Sequence, residues 1–388
     1  MSFVQASSSA PVQPRQLGHA NSATQTEDRL KYLVLTTSYP GHDGDPSGHF
    51  VRAEARSLAL VEGNEVHVIA PSASLNEAPA VDRLAPRLTI HPVGGGSLFG
   101  FPGVLARLSE KPYRLLSALP FSVSVRRALF RIGPVDQAIA HWIVPSGFPL
   151  LLGHDAPLEV VAHGADVRLL CSMPSFAASL IVQNLLTRGA TFRFVASALL
   201  IDLAQTLTPA LTARLKSVSR VEPAAMDLLD VKERAASLRA SFLAKIKTDA
   251  FVVVVGRLIA SKRVELAIEA AHIAALPIVI VGDGPCRAEL ERLAKRLGVA
   301  AFFLGLLARD EALAWIAAAD VVGFVSALEA APTVVREARA LGVSVVACAA
   351  GDVVAWAERD PGITIAPPIA RPLAEAFVRV IASRSSGR

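Results

Sequence analysis

Residues 251–263 read FVVVVGRLIASKR, and how that stretch is read decides the fold. Four valines behind Phe251 show no polar alternation, which marks a strand buried on both faces, in a parallel sheet covered by helices. Gly256 ends the strand in a turn. The cations that follow, Arg257, Lys262 and Arg263, then stand in a βα loop at the carboxyl end of the sheet, where doubly wound α/β proteins bind ligands.

The same pattern repeats on either side. Downstream, Ile278–Val281, Ala301–Leu304, Val321–Val325 and Ser344–Ala347 read as strands, alternating with helices near 262–275, 285–297, 309–319 and 332–341. Upstream, Leu30–Thr37, Glu65–Ala70, Leu88–Val93, Val135–His141, Leu158–His163, Phe192–Ala196 and Val218–Val221 form a first series, with a helix at Phe50–Glu62. Strand starts about 20–30 residues apart match one βα unit. The polar, helix-prone stretch Asp227–Lys247 divides the two series. The expected class is therefore α/β, with two doubly wound, Rossmann-like domains facing an interdomain cleft. The expected division is a disordered leader at 1–28, an N-terminal domain at 29–226, a C-terminal domain at 227–370, and a terminal helix at 371–388 able to cross back to the N-terminal domain.

Composition narrows the function classes. Of 388 residues 52% are hydrophobic and 19% charged, so the chain as a whole can bury a core and is not disordered. Aromatics at 6% argue against an all-β sandwich and against a base-stacking nucleic-acid binder. The net charge of +5 is too modest to indicate nucleic acid, and no recognition motif accompanies it. Cys171, Cys286 and Cys348 are widely spaced, suggesting three buried apolar thiols in a reducing compartment and neither a disulfide framework nor zinc. The leader, rich in Ser, Ala, Gln and Pro, lacks an apolar signal core. The uncharged run between Arg168 and Arg188, broken by Pro174, reads as a buried or interfacial helix. The expected location is cytoplasmic.

Several short motifs could carry chemistry. Glu329-Ala-Ala-Pro332-Thr333-Val-Val-Arg-Glu337 follows an apolar strand and opens a helix, with Pro332 suited to its first turn. A helix N-terminus offers N–H groups and a positive dipole end to phosphate, and carboxylates beside it can accept from sugar or ribose hydroxyls. An ordinary amphipathic helix with two exposed glutamates is the alternative. Arg257 and Lys262 can neutralise a departing diphosphate, or belong to a solvated basic loop. Gly256, Gly282 and Gly284 close two strands and suggest close backbone approach to a ligand, without the dinucleotide fingerprint spacing. Gly48, in Pro46-Ser-Gly48-His49, has the same use in the first half. Asp43-Gly-Asp45 resembles a metal-holding triplet but reads as a solvated turn, so no metal is expected. His163, at the end of LEVVAH, points toward the cleft.

Taken in order, LVLTTSYP…DPSGHFVR, HWIVPSG, VVAHGADV, VGRLIASKR, IVGDGP and ALEAAPTVVREARALGVSVVA resemble the retaining glycosyltransferases of family 4, with the GT-B fold. The resemblance spans most of residues 29–370. It implies an acceptor-side N-terminal domain, a nucleotide-sugar-binding C-terminal domain, a UDP- or GDP-sugar donor as co-substrate, no cofactor and no metal, and a saccharide or lipid-linked acceptor in surface polysaccharide or glycolipid assembly. By residue it implies His163, Arg257, Lys262 and Glu329 as catalytic, with Gly48, Gly256, Gly282, Gly284, Pro332, Thr333 and Glu337 beside them in donor binding. Three departures stand out. Ala330 replaces the family's glycine after Glu329. Pro223-Ala-Ala-Met-Asp227 lacks the glycine of the family's interdomain turn. Ala350-Gly-Asp352-Val-Val-Ala355 lacks one glycine and the carboxylate of a Gly-Gly-x-x-Glu loop. A catalytically impaired nucleotide-sugar-binding protein, or a sugar epimerase on the same fold, therefore stays open.

Residues 97–133 hold six basic residues, Arg107, Lys111, Arg114, Arg126, Arg127 and Arg131, against one acid, Glu110. Phe99, Phe101, Phe121 and Phe130 interleave with them. Such a surface can seat a protein on anionic lipid, which would place the chain at the inner membrane face; a solvated helix pair is the alternative.

Overall fold

The computed structural model describes residues 29–386 except 43–44, 46, 73–77 and 100–103. The expected leader, Asp43, Gly44, Pro46 and Phe101 lie outside the described residues.

Two sheets organise the chain. The first comprises β1 (Lys31–Leu35), β2 (Glu65–Pro71), β3 (Ala80–Asp82), β4 (Ala85–Val93), β5 (Gln137–His141), β6 (Leu158–Ala162), β7 (Thr191–Phe194) and β8 (Ser219–Val221), in the order β3-β4-β2-β1-β5-β6-β7-β8. The second comprises β9 (Val252–Val255), β10 (Ile278–Val281), β11 (Ala301–Gly305), β12 (Val321–Phe324), β13 (Ser344–Ala347) and β14 (Ile363–Ile365), in the order β11-β10-β9-β12-β13-β14. Within each sheet neighbouring strands run parallel, except that β3 pairs antiparallel with β4. The class expected from the sequence is the class observed: two parallel-sheet α/β domains.

Strand order reverses between β1 and β5 and between β9 and β12. Each reversal sends successive crossover helices to opposite faces and leaves a crevice at the carboxyl ends of the strands. Burial explains the apolar runs: Phe251, Val252 and Val253 are fully buried, and the second sheet carries one apolar cluster on each face. The short β3 and β14, three residues each, were not anticipated, because so few residues establish no period.

Pro174 divides the uncharged run into helices Ala165–Ser172 and Ser175–Thr187. The second buries Ala178, Ile181, Val182 and Leu185 while Phe176 and Leu180 remain exposed. Of the cysteines only Cys348 is fully buried, and Cys171 and Cys286 are half-buried. Helix Lys232–Ile246, the start of the second half, is pinned by Arg239, whose guanidinium donates two 2.8 Å bonds to the carboxylate of Asp320. The terminal helix Ala370–Ser386 packs along helix Val264–Ala274, with Phe377 fully buried beside Gly323. It thus covers the second sheet.

The two domains touch at several points. Ser197 donates to Asp352 through its backbone N–H at 2.9 Å and its hydroxyl at 2.7 Å. Arg336 Nη1 donates to the carbonyl of Ala224 at 2.6 Å, within the altered interdomain turn. Asp227, at the end of that turn, lies 3.7 Å from Arg56 and gives its carbonyl to Arg309 at 2.9 Å.

Candidate functional site

At the β9–β12 reversal a cavity of about 580 Å³ opens at the carboxyl ends of the strands, a size usual for nucleotide-sized ligands. Gly256, Arg257, Gly282, Gly284, Thr333 and Glu337 all line it. Six sequence-predicted donor residues, from three separate βα loops, therefore meet in one hollow. His49, from the first domain, lines it too, so the cavity lies between the domains. Its apolar wall includes Val255, Val281, Leu306, Leu307, Leu313 and Ile316.

Glu337 is the buried charge of this cavity, with 6% of its surface exposed. Two exposed glutamates on an ordinary helix would look different. Its Oε1 accepts from Arg309 Nη1 at 2.6 Å and lies 3.9 Å from His49 Nε2. A buried carboxylate needs such a partner, because burying it alone costs several kcal/mol. Helix Thr333–Ala340 carries Glu337, and Pro332 sits just ahead of it in extended backbone, flanking the first turn it was expected to occupy.

Lys262 and Glu329, from the loops after β9 and β12, form a half-buried ion pair with each other. The lysine stem passes the α-carbon of Gly256, where an added Cβ would meet Cε at 3.8 Å, which puts the pair at the rim of the cavity. The two loops are also joined by Ala327 N–H donating to the carbonyl of Ser261 at 2.8 Å. Arg263 donates to the carbonyls of Val325 and Ser326 at 2.8 and 2.9 Å, so that cation serves the loop's own fold.

Two glycines differ from expectation in what crowds them. A Cβ on Gly282 would fall 1.9 Å from the carbonyl oxygen of Gly256, and one on Gly48 would fall 2.0 Å from that of Ser38. Both have positive φ, 132° and 55°. The close approach that demands glycine there is to the protein's own neighbouring loop. Asp45 closes its turn by accepting from the N–H groups of Gly41 and Ser47 at 2.9 and 2.8 Å. Among the described residues no group of three or more His, Cys, Asp or Glu could hold a metal.

His163 follows β6 on the first domain. Its loop abuts the Glu329 loop, since a Cβ on Gly164 would meet that of Ala330 at 3.8 Å. Buried Asp166 shapes this loop by accepting from the N–H groups of Ile143, His163 and Gly164 at 2.7, 3.1 and 3.0 Å. The ring of His163 packs against those of Phe50 and Trp142, each 4.8 Å away between centroids, in a three-ring cluster. Burial lowers its pKa well below the usual range, and His141 and Arg193 add to the effect.

Residues 240–386 match the family described as Glycosyl transferases group 1. The match lies within the second half of the chain, and the two parallel-sheet domains together make up the GT-B fold. No curated protein sequence matches the chain. Among solved structures, sucrose-phosphate synthase from Thermosynechococcus elongatus superposes with a TM-score of 0.65 at 19% identity, covering 92% of this chain and 91% of that one. Anabaena HepE in complex with UDP gives 0.61 at 18% identity, covering 92% and 90%. A UDP-forming α,α-trehalose-phosphate synthase from Burkholderia xenovorans in complex with glucose-6-phosphate gives 0.60 at 12%, covering 91% and 92%.

Sequence reading missed His49 and Arg309 at the cavity. His49 follows the glycine that was singled out, and Arg309 opens the helix after β11, so position at a strand's carboxyl end was the available signal. His141 lay inside a quoted motif, HWIVPSG, without a role. The basic stretch also changes in detail. Phe99 and Phe121 are buried with their tilted rings 4.4 Å apart between centroids, and Arg107 donates to the carbonyl of Gly96. Phe130 is exposed, at 91%, and the apolar groups exposed beside it include Tyr113, Leu115, Leu116 and Leu119. No helix among the described residues is long and apolar enough to cross a membrane.

Proposed function

We propose that the protein transfers a sugar from a UDP- or GDP-sugar to a saccharide or lipid-linked acceptor, with retention at the anomeric carbon and without a metal, in surface polysaccharide or glycolipid assembly. The division at residues 226/227 then separates acceptor side from donor side. The observation that carries this reading is the meeting of Gly256, Arg257, Thr333 and Glu337 in one interdomain cavity, all within the stretch that matches Glycosyl transferases group 1. UDP bound to the similarly folded HepE supports the donor class.

On this reading Arg257 and the first turn of helix Thr333–Ala340 receive the diphosphate. Lys262 exchanges Glu329 for a phosphate oxygen, which frees the Glu329 carboxylate for hydroxyls of the transferred sugar. Glu337 keeps Oε1 on Arg309 and offers Oε2 to the ribose. The bond from the anomeric carbon to the diphosphate breaks while the acceptor oxygen approaches the same face, and the acceptor's proton passes to the departing phosphate. Cations gathered around the leaving group supply the stabilisation, each such donor worth roughly 100- to 1000-fold in rate.

The test is a panel of UDP-, GDP- and ADP-sugars with purified protein, with and without acceptors. Turnover of one donor that disappears in Arg257→Ala and Glu337→Ala supports the reading; full activity in both variants overturns the donor site. Tight binding without turnover would make the chain a nucleotide-sugar-binding protein, and conversion of UDP-GlcNAc without acceptor would make it an epimerase.

A second reading concerns the acceptor. The surface of helix Ala118–Ile132 and the turn Pro112–Ser117 sets Arg114, Arg126, Arg127 and Arg131 beside exposed Leu115, Leu116, Leu119 and Phe130. This supports attachment to an anionic membrane face, at about 1 kcal/mol per cation. Sedimentation with anionic vesicles that weakens at high salt is expected; equal absence of binding to neutral and anionic vesicles removes the reading.

A further inference from the structure

His163 is held by a partner of its own kind. His141, the last residue of β5, has no exposed surface, and its Nδ1 lies 2.9 Å from His163 Nε2 with the rings stacked at 20°. On the far side, His141 Nε2 lies 3.8 Å from Glu54 Oε2, on helix His49–Leu60. The other Glu54 oxygen is ion-paired with buried Arg193 on β7, which also lies 3.4 Å from Glu159 on β6. Burial and the Arg193 charge lower the pKa of both rings, so each imidazole is neutral near pH 7 and carries one N–H.

A neutral pair shares one proton across its N···N contact, and two arrangements exist. If His141 donated from Nδ1, its Nε2 lone pair would face the Glu54 carboxylate at 3.8 Å in a buried site, lone pair against anion. If His163 donates from Nε2, His141 accepts at Nδ1 and turns its Nε2–H toward that carboxylate. The second arrangement replaces a buried repulsion with an attraction, and the partner of one ring nitrogen sets the state of the other. We propose that Glu54 and His141 are positioning residues that hold His163 as the Nε2–H tautomer, leaving its Nδ1 as a hydrogen-bond acceptor for a ligand hydroxyl. That the ligand is a sugar rests on the proposed function; the tautomer does not.

The test separates the two. Long-range proton–nitrogen NMR of the full-length protein labelled with 15N-histidine, without donor, is expected to show both His163 and His141 protonated at Nε2 alone. Signals are assigned with single His163→Asn and His141→Asn variants. Protonation of His163 at Nδ1, or a cationic ring at pH 7, overturns the proposal whatever the protein's activity. In transfer assays, His141→Leu removes the acceptor and is expected to lower kcat about tenfold, the scale of one neutral hydrogen bond, and to release His163 into mixed tautomers. His141→Asn, whose amide oxygen can stand near the lost Nδ1, is expected to restore the single tautomer and most of the rate. Equal losses in the Leu and Asn variants, with native circular dichroism in both, would also overturn the proposal. Failure of the donor reading would instead appear as retained activity in Arg257→Ala with the tautomer unchanged.

Discussion

Two charged networks, one in each domain, are built in opposite ways. In the first, Arg193 is 5% exposed and closed in by Glu54 and Glu159, with the stacked His141–His163 pair reaching Glu54 through His141 Nε2 at 3.8 Å. In the second, Arg257 is exposed on the cavity wall, and Lys262 and Glu329 meet half-buried at the rim. Buried ions hold one another because no water can, whereas exposed ions at a cavity can exchange partners when a charged ligand arrives. One network fixes geometry and the other can receive a ligand.

That difference can be broken with two arginines. Arg193→Met would leave the Glu54 carboxylate without its cation in the first domain's interior, while Glu159 keeps Arg220 at 2.6 Å, at an expected cost of about 3–5 kcal/mol of stability. Arg257→Ala should change stability by no more than about 0.5 kcal/mol, as surface changes do, while removing donor turnover. Urea denaturation of both variants checks this. Comparable losses would mean that the two networks do not differ in kind.

The comparison also explains what the sequence revealed. The second domain's site is built from contiguous βα loops, so FVVVVGRLIASKR, VGDGP and EAAPTVVRE each exposed a strand end and its loop to reading. The first domain's network gathers Glu54, His141, Glu159 and Arg193 from four elements and His163 from the loop after β6, and no spacing along the chain joins a residue on a helix to one about 90 positions later at the end of a strand. Parallel pairing creates that proximity. Crowding by the protein's own backbone, as at Gly282 and Gly48, was equally illegible, because a glycine looks the same whether a ligand or a neighbouring loop presses on it.

The histidines give the comparison a pH signature. Because His141 and His163 have pKa values below the unfolded value of about 6.5, the unfolded chain binds more protons as pH drops below that value. Their contribution to stability is present in full above about pH 6.5 and is lost as pH falls below it, at about 1.4 kcal/mol per pH unit for each proton. Burial also lowers His67, His154 and His91, the last to about 4, so the wild-type slope is the sum of several groups. His141→Asn should flatten that slope by about one proton between pH 6 and 5. Unfolding free energies at these two pH values measure it, and an unchanged slope would mean that His141 does not fold as a neutral ring.

A smaller effect than that of Arg193→Met belongs to one of the contacts that join the two domains. Asp352 lies in the loop after β13, and its carboxylate is buried and accepts from the backbone N–H and hydroxyl of Ser197, at the N-terminus of helix Ser197–Thr206. The second domain thereby caps a helix of the first, with an anion at the positive end of the helix dipole. Asp352→Ala is expected to cost about 1–2 kcal/mol, within the range of a lost cap. Ser197→Ala, which keeps the backbone N–H, should cost less. If the cap also holds the cleft closed, small-angle scattering of Asp352→Ala should show a larger radius of gyration than the wild type, and a nucleotide diphosphate bound in the cavity should reverse the change. An unchanged radius would mean that the Gly164–Ala330 and Arg336–Ala224 contacts suffice to hold the domains together, and that Asp352 acts on its helix alone.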